Sequence, residues 1–539
     1  MLDPEAAYRK YCKEFGSMGS RFITVLILSV LSLFFSLYAG LGWHFLPELF
    51  NGGLTAYLLM ILMLVSCFLA SNVWQNALQG LQQWSFPLDA LLLLAGLFTA
   101  LDTFPAAHAG RVPMCAVVQV LLCFSLWGKY NEYMAKITSM RVLREVREPI
   151  GIVEVQDLMK GHRGILRSGG DIPQFMKRFE RTPQLERVMT AYAPVAAALS
   201  LVLGLIISIT AKTGFLWTVA LLLCASLPLA GFIGYSRAFY RLSRRLDESD
   251  VVLCGWHGAA LFGGKHTILV SDADIFPKGS LTLNGFKIFK GNTDRVIGYA
   301  AAAVRASESA LAPLFDELLE MHNGRHYNVD QFRFYDSGGI GAQIGNETVL
   351  VGTGEFMRRM GVHMDSGMRV QQAAYVSVDG ELAGVFAIRY AAPEAVQRGL
   401  TAIGRNRHFK TTLITRCFLG TPAFLRSKFN IPAGNLSYPS TKERLRLSEA
   451  TVKSDEQGAI LAEDSFGAFA EAAAGGRQLH SCAFASMWLA LGSGLISFLL
   501  MAILAGLGAT ETASTLNLLL YLALWAIPTV LLTAWAERY

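Results

Sequence analysis

Charge is scarce in this chain. Only 16% of its 539 residues are Asp, Glu, Lys or Arg, against roughly 25% in a soluble domain. Apolar residues fill the deficit at 53%, which argues against a fully soluble globular protein. Paired cysteines are missing as well. The eight cysteines are scattered singly without a Cys-x-x-Cys pair, which supports neither a disulfide framework nor a zinc site. Cys67, Cys115, Cys123 and Cys224 fall inside apolar stretches, where a cysteine usually serves as a small apolar residue. The first apolar run has no small-residue cleavage site and is too long for a signal-peptide core, so it reads as a true span. No basic stripe with interleaved aromatics is present, so the net charge of +6 calls for no nucleic-acid partner.

What the chain does have is long apolar runs in an uneven layout. Stretches of about 20 residues, enough to cross a lipid bilayer as a helix, lie near 22–43, 53–73, 86–103, 113–132, 190–211, 215–237, 482–507 and 514–535. They group as four, two and two. A short polar loop at 133–189 separates the first groups, and a long polar segment at 238–481 separates the last. Lys10, Lys13 and Arg21 precede the first span and the 133–189 loop is rich in Lys and Arg, while the opposite side holds little beyond Arg111 and Lys212. The positive-inside bias therefore predicts that both termini and both polar segments are cytoplasmic, and the expected location is a plasma membrane of bacterial type.

The long segment alternates short β-type runs with helical stretches, as α/β domains do. Its chemistry sits at strand ends. Ile268–Val270 runs into Asp272 and Asp274, two carboxylates that would face the crevice at the carboxyl end of a parallel strand. The first suits nucleophilic attack on phosphorus and the second the leaving-group proton. Thr411–Ile414 ends in Thr415, a hydroxyl able to hold a phosphoryl oxygen, and Lys442 follows as a fixed cation. Gly458–Ala462 runs into Glu463 and Asp464, where a carboxylate could hold Mg²⁺. Taken singly, each is more often a polar turn or a solvated face than a catalytic group. The ordered set, interrupted where a cap would be inserted, follows the logic of the haloacid-dehalogenase superfamily.

On these residues the chain resembles the P-type cation-transporting ATPases of the heavy-metal branch, from about residue 180 onward. Pro183–Pro194 is similar to that family's approach to its fifth span, and Val378–Val385 to the strand pair after its nucleotide domain. Gly338 and Gly339, with Val349–Gly352, resemble the glycine-punctuated sheet beneath the nucleotide, and Pro439–Lys442 matches the Pro-x-x-Lys element. The resemblance implies an α-helical membrane bundle of eight spans plus a cytoplasmic haloacid-dehalogenase-like α/β domain. Its parts would be a four-span region at 1–132, a short actuator-like loop at 133–189 and spans at 190–237. The phosphorylation-type domain would be 238–286 with 366–481, the nucleotide-domain-like insertion 287–365, and the last spans 482–539.

Departures from the family pattern fall on its catalytic positions. Pro277–Thr282 matches the end of the phosphorylation motif and would put Phe276 where the phosphorylated Asp belongs; aligned on the strand, Asp272 takes that place. Thr415-Arg416-Cys417 stands for Thr-Gly-Asp, and Ser307–Ala310 for Ser-Glu-His-Pro, without the nucleotide-contacting His. The 133–189 loop lacks Thr-Gly-Glu, and Cys224–Pro228 replaces Cys-Pro-Cys. Weak or absent ATP binding is therefore expected, with Mg²⁺ left open at Glu463 and Asp464. Three functions remain open. One is a P-type-ATPase-like protein with an impaired cycle, acting on a metal cation or a protein partner. The others are a membrane-bound phosphatase using Asp272 and Asp274, and a working cation pump with drifted motifs.

Overall fold

The computed structural model describes residues 3–42, 53–159, 162–336, 338–364, 372–448 and 456–538. The chain divides into two compact units whose segments interleave. Met1–Arg147, Ile172–Gly263 and Gly475–Tyr539 make the first, and Glu148–Asp171 with Gly264–Ala474 the second.

The first unit is built mainly from apolar helices. Among the described residues five helices are long and apolar enough to cross a membrane, or seven if each of two bent pairs is one span. The bent pairs are Gly53–Leu69 with Ser71–Gln82, at 71°, and Phe215–Ala225 with Leu229–Asp247, at 48°. The second bend falls at Pro228, whose ring removes a backbone donor and interrupts the helix. The stretch expected at 113–132 is a helix, Cys115–Leu143, but Gln119, Lys129 and Glu132 dilute its apolar character. It is enclosed by other helices, with Leu121, Leu122 and Leu126 buried, so it needs no continuous lipid-facing stripe. Gly128 on this helix lets the backbone of Phe232 approach so closely that an added Cβ would lie 2.2 Å from its carbonyl oxygen. Small residues permit such close helix approach in membranes. Outward-facing Ile27, Phe68, Ile209, Leu524 and Ile527 are exposed. An apolar outer surface around a satisfied helical backbone is that of an integral membrane protein.

Two sheets organise the second unit. Its strands are β1 (Ile150–Met159) and β2 (His162–Gly169), then, after β3 (Val251–Leu253) of the first unit, β4 (His266–Val270), β5 (Leu281–Ile288), β6 (Gln331–Tyr335), β7 (Gly339–Ile344), β8 (Glu347–Gly352), β9 (Ala373–Val378), β10 (Glu381–Tyr390), β11 (Phe409–Leu413), β12 (Leu436–Ser437) and β13 (Gln457–Leu461). One sheet runs β12-β11-β4-β2-β1-β13 within this unit. β11 and β2 lie parallel to β4, and only β1 opposes the common direction. The other sheet is antiparallel in the order β5-β10-β9-β8-β7-β6.

Two boundaries differ from the sequence reading. Residues 150–169, expected in a separate actuator-like loop, are a hairpin inside the parallel sheet. Its Gly164 and Ile165 pair with Thr267 and Ile268, and its Ile150–Ile152 with Leu461–Ala459. Ile152, Val153 and Ile165 are fully buried there, which is what holds the hairpin in place. The inserted domain is also longer than 287–365. β5 on one flank and β9–β10 on the other complete the antiparallel sheet, with Gly384–Tyr390 pairing to Ile288–Leu281.

Candidate functional site

The parallel strands end at one edge, and the sequence-predicted residues of the crevice cluster there unevenly. β4 is buried along its length, and Ser271 caps a four-residue helix, Asp272–Ile275. Asp272 opens that helix. One of its carboxylate oxygens accepts the backbone N–H of Arg416 at 2.9 Å and of Cys417 at 3.0 Å, from the loop after β11. Burial raises its carboxyl from the usual 3.8 to about 6, although the two N–H groups and the charge of Arg444 pull the other way. Phe276, the other alignment candidate, closes the short helix and packs its ring against Tyr390 and Phe424 at 5.3 and 5.8 Å. The strand end therefore presents Asp272.

This shift carries a pH signature. The folded protein holds the Asp272 proton more tightly than the unfolded chain between pH about 4 and about 6, so this group's contribution to stability falls as pH rises through that window. Asp272→Asn keeps an acceptor oxygen and removes the titration. It is expected to stabilise the protein at pH 7, relative to pH 4, by about 2–3 kcal/mol. Unfolding measured at both pH values checks this; an unchanged pH slope contradicts it.

Thr415 lies buried beside Asp272, but its hydroxyl donates to the carbonyl of Gly420 at 3.0 Å, closing its own loop. Lys442 is exposed. The buried cation of its helix, Thr441–Ser448, is Arg444, two positions further on. Arg444 donates to the carbonyl of Thr415 at 3.0 Å, to Thr441 Oγ1 at 2.9 Å and to the Tyr438 hydroxyl. The signal for it in the sequence was the 3.6-residue period: Arg444 shares a helix face with the buried Leu447, and Lys442 does not.

Asp274 serves the cap. Its Oδ2 accepts the N–H and the hydroxyl of Ser271, each at 2.8 Å, while Oδ1 pairs with Arg167 on β2. The same guanidinium reaches Asp464 at 2.7 Å. Glu463 and Asp464 are exposed after β13. β2 and β1 stand between β4 and β13, and three steps of about 4.8 Å put those strands about 14 Å apart.

The nucleotide-side residues lie in the antiparallel sheet. Gly338 has φ +89°, a conformation glycine adopts without strain, and Ser337 lies outside the described residues. Gly339 leaves room for a ring: a Cβ there would meet Phe356 at 2.2 Å, and one on Gly352 would meet it at 2.4 Å. In the Ser307–Ala310 stretch Glu308 pairs with Arg416, tying this sheet's helices to the Asp272 loop. Asp336 accepts the Thr441 N–H at 2.9 Å and the Thr441 hydroxyl, which hold its carboxyl below the usual range.

The first unit holds a charged cavity of about 310 Å³ lined by Asp89, Lys129, Glu132, Lys136, Glu180 and Glu186 among others. Asp89 accepts from Ser125 at 2.7 Å and pairs with Lys129 at 2.8 Å. Sequence spacing missed it because its residues come from separate helices. Deeper in the bundle, Thr103 lies 3.5 Å from the Cys115 sulfur and Thr99 3.9 Å from that of Cys224. Arg111 pairs with the neighbouring Asp102 at 3.2 Å. Among the described residues no three His, Cys, Asp or Glu side chains are grouped to hold a metal ion.

No family profile and no curated protein matches the chain. Among solved structures it is similar to a zinc-transporting PIB-type ATPase in the E2.Pi state, at 14% identity and TM-score 0.46, over 97% of this chain and 99% of that one. It is also similar to a second structure of a zinc-transporting PIB-type ATPase, at 13% identity and TM-score 0.38, over 92% and 99%. The N-domain of HMA6, a copper-transporting P-type ATPase, aligns over 21% of this chain and all of that one, at 21% identity and TM-score 0.19.

Proposed function

We propose that this integral membrane protein is a divergent P-type-ATPase-like relative of heavy-metal transporters whose phosphorylation cycle is impaired. In this reading it binds or regulates rather than pumps. The eight-span arrangement with both termini cytoplasmic rests on the Lys/Arg asymmetry of the loops.

One observation carries the impaired cycle: the Arg167 guanidinium, brought in by β2, occupies the gap between Asp274 and Asp464 at the strand ends. A phosphoryl group needs its nucleophile and its charge-neutralising groups around one point. Asp272 keeps a nucleophile's position, while the Thr415 hydroxyl is spent on its own loop and Lys442 stands in solvent. Residues 133–189 carry no Thr-Gly-Glu for the hydrolytic half of the cycle, and splitting a reaction helps only when both halves have their groups. The phosphatase reading is weakened by Asp274, whose two oxygens are engaged by Ser271 and Arg167. A carboxylate so fixed is poorly placed to exchange a proton.

The test is incubation of the purified protein with radiolabelled ATP and a transition metal, with Asp272→Asn alongside. The expected result is no sustained metal-stimulated hydrolysis. Steady hydrolysis abolished by Asp272→Asn would restore the working pump.

A further inference from the structure

Magnesium is the cation that the strand-end acids would hold if the crevice worked as its resemblance implies. A Mg²⁺ site needs oxygen ligands converging with room for several bound waters. The residues present do not fit that requirement. Asp464 is one ligand candidate and Asp274 faces the same gap, but the gap is filled. Arg167 enters it from β2 and spreads its fork across both carboxylates, Nη2 to Asp274 and Nη1 to Asp464. Its guanidinium also lies 5.5 Å from the ring centre of Phe469.

The position follows from the hairpin. β2 lies parallel to β4, so its last residues reach the same sheet edge as Asp272 and Asp274. Arg167 pairs with Ile152 in the β1–β2 register, inside the hydrogen-bonded part of the hairpin. It is therefore set by the sheet rather than by a loop. Asp274 is 2% exposed, and a carboxylate buried to that degree requires a counter-charge. Arginine supplies one that cannot be lost by deprotonation, in a planar geometry matched to carboxylates.

We propose that Arg167 is the resident cation of this crevice: the β1–β2 hairpin has replaced a divalent metal by a covalently tethered guanidinium, and the native protein takes no Mg²⁺ there. This rests on reading the crevice as a phosphorylation-type site. The experiment below uses no nucleotide, so its failure is distinguishable from a positive result in the ATP-labelling test.

Full-length protein in detergent would be melted with and without millimolar Mg²⁺, as wild type, Arg167→Ala, and Arg167→Ala combined with Asp464→Asn. Wild type is expected to show no Mg²⁺ response. Arg167→Ala should melt lower and regain about 2–4 °C with Mg²⁺, and the double variant should lose that recovery. An Arg167→Ala protein that folds but gains nothing from Mg²⁺ overturns the proposal. Should that variant fail to fold, Mn²⁺ binding to wild type followed by paramagnetic resonance decides. No bound Mn²⁺ sensitive to Asp464→Asn supports the replacement, and a bound ion lost in Asp464→Asn overturns it.

Discussion

Arg444→Ala is expected to destabilise the protein by about 3 kcal/mol, while Lys442→Ala stays within about 0.5 kcal/mol of wild type. Arg444 is 7% exposed and satisfies a carbonyl, a phenol and a hydroxyl at once, those of Thr415, Tyr438 and Thr441. Truncation leaves the buried Thr415 carbonyl without its donor, which costs more than that hydrogen bond itself contributes, while the half-buried Tyr438 and Thr441 hydroxyls lose theirs as well. Its face also lies over the Tyr438 ring, 4.2 Å from the centroid, so packing is lost with the charge. Arg444→Lys should recover only part of the loss, since one ammonium cannot reproduce the fork. Denaturant unfolding of the four proteins measures the series. Equal losses at Lys442 and Arg444 would mean that the exposed lysine is the one engaged.

The second large effect belongs to Gly339. Gly339→Ala places a methyl 2.2 Å from the Phe356 ring, which is itself fully buried. The expected cost is about 2 kcal/mol or more, the range of an overpacked core. Phe356→Leu removes the ring edge, so the double variant should lose less than the sum of the singles, with a coupling of about 1 kcal/mol. Strict additivity would show that the glycine is there for something other than the ring, such as close approach by a nucleotide. The comparison separates the two because a ligand role does not depend on residue 356.

Much of this site is legible in the order of residues alone. The buried run at 266–270 followed by acids locates Asp272 at a strand end, because the end of a parallel strand is fixed by its own apolar length. The ordering of Thr415, the 441–448 helix and Asp464 after later strands is equally local information. The hairpin is not legible in this way. Residues 150–169 carry Glu154, Arg163, Arg167 and four glycines among their apolar positions, so they read as a loop. Their partners lie about 100 and 300 residues away, and pairing at that distance leaves no periodic trace. Arg167 escapes notice for the same reason. The β9–β10 pair reads as strands but falls to the other sheet, since alternation shows that a strand exists and says nothing about its neighbour. In the membrane, the apolar run at 113–132 does locate a helix, and what the run leaves out is its polar continuation to Leu143, which carries Lys136 and Arg141.

The hairpin also imposes an order on biosynthesis. β1 and β2 leave the ribosome before the helices Gln184–Thr210 and Phe215–Ala225, yet β2 finds its parallel neighbour only when residues 266–270 have been made. β1 waits longer still, because its outer edge is paired by β13 at residues 457–461. For most of translation the nascent chain thus carries an open strand edge, the kind of surface that recruits foreign strands. A chain stopped before residue 457 never closes that edge. Premature termination shortly before residue 457 should therefore be more damaging to recovery of correctly inserted material than termination shortly after residue 461, although the two chains differ by few residues.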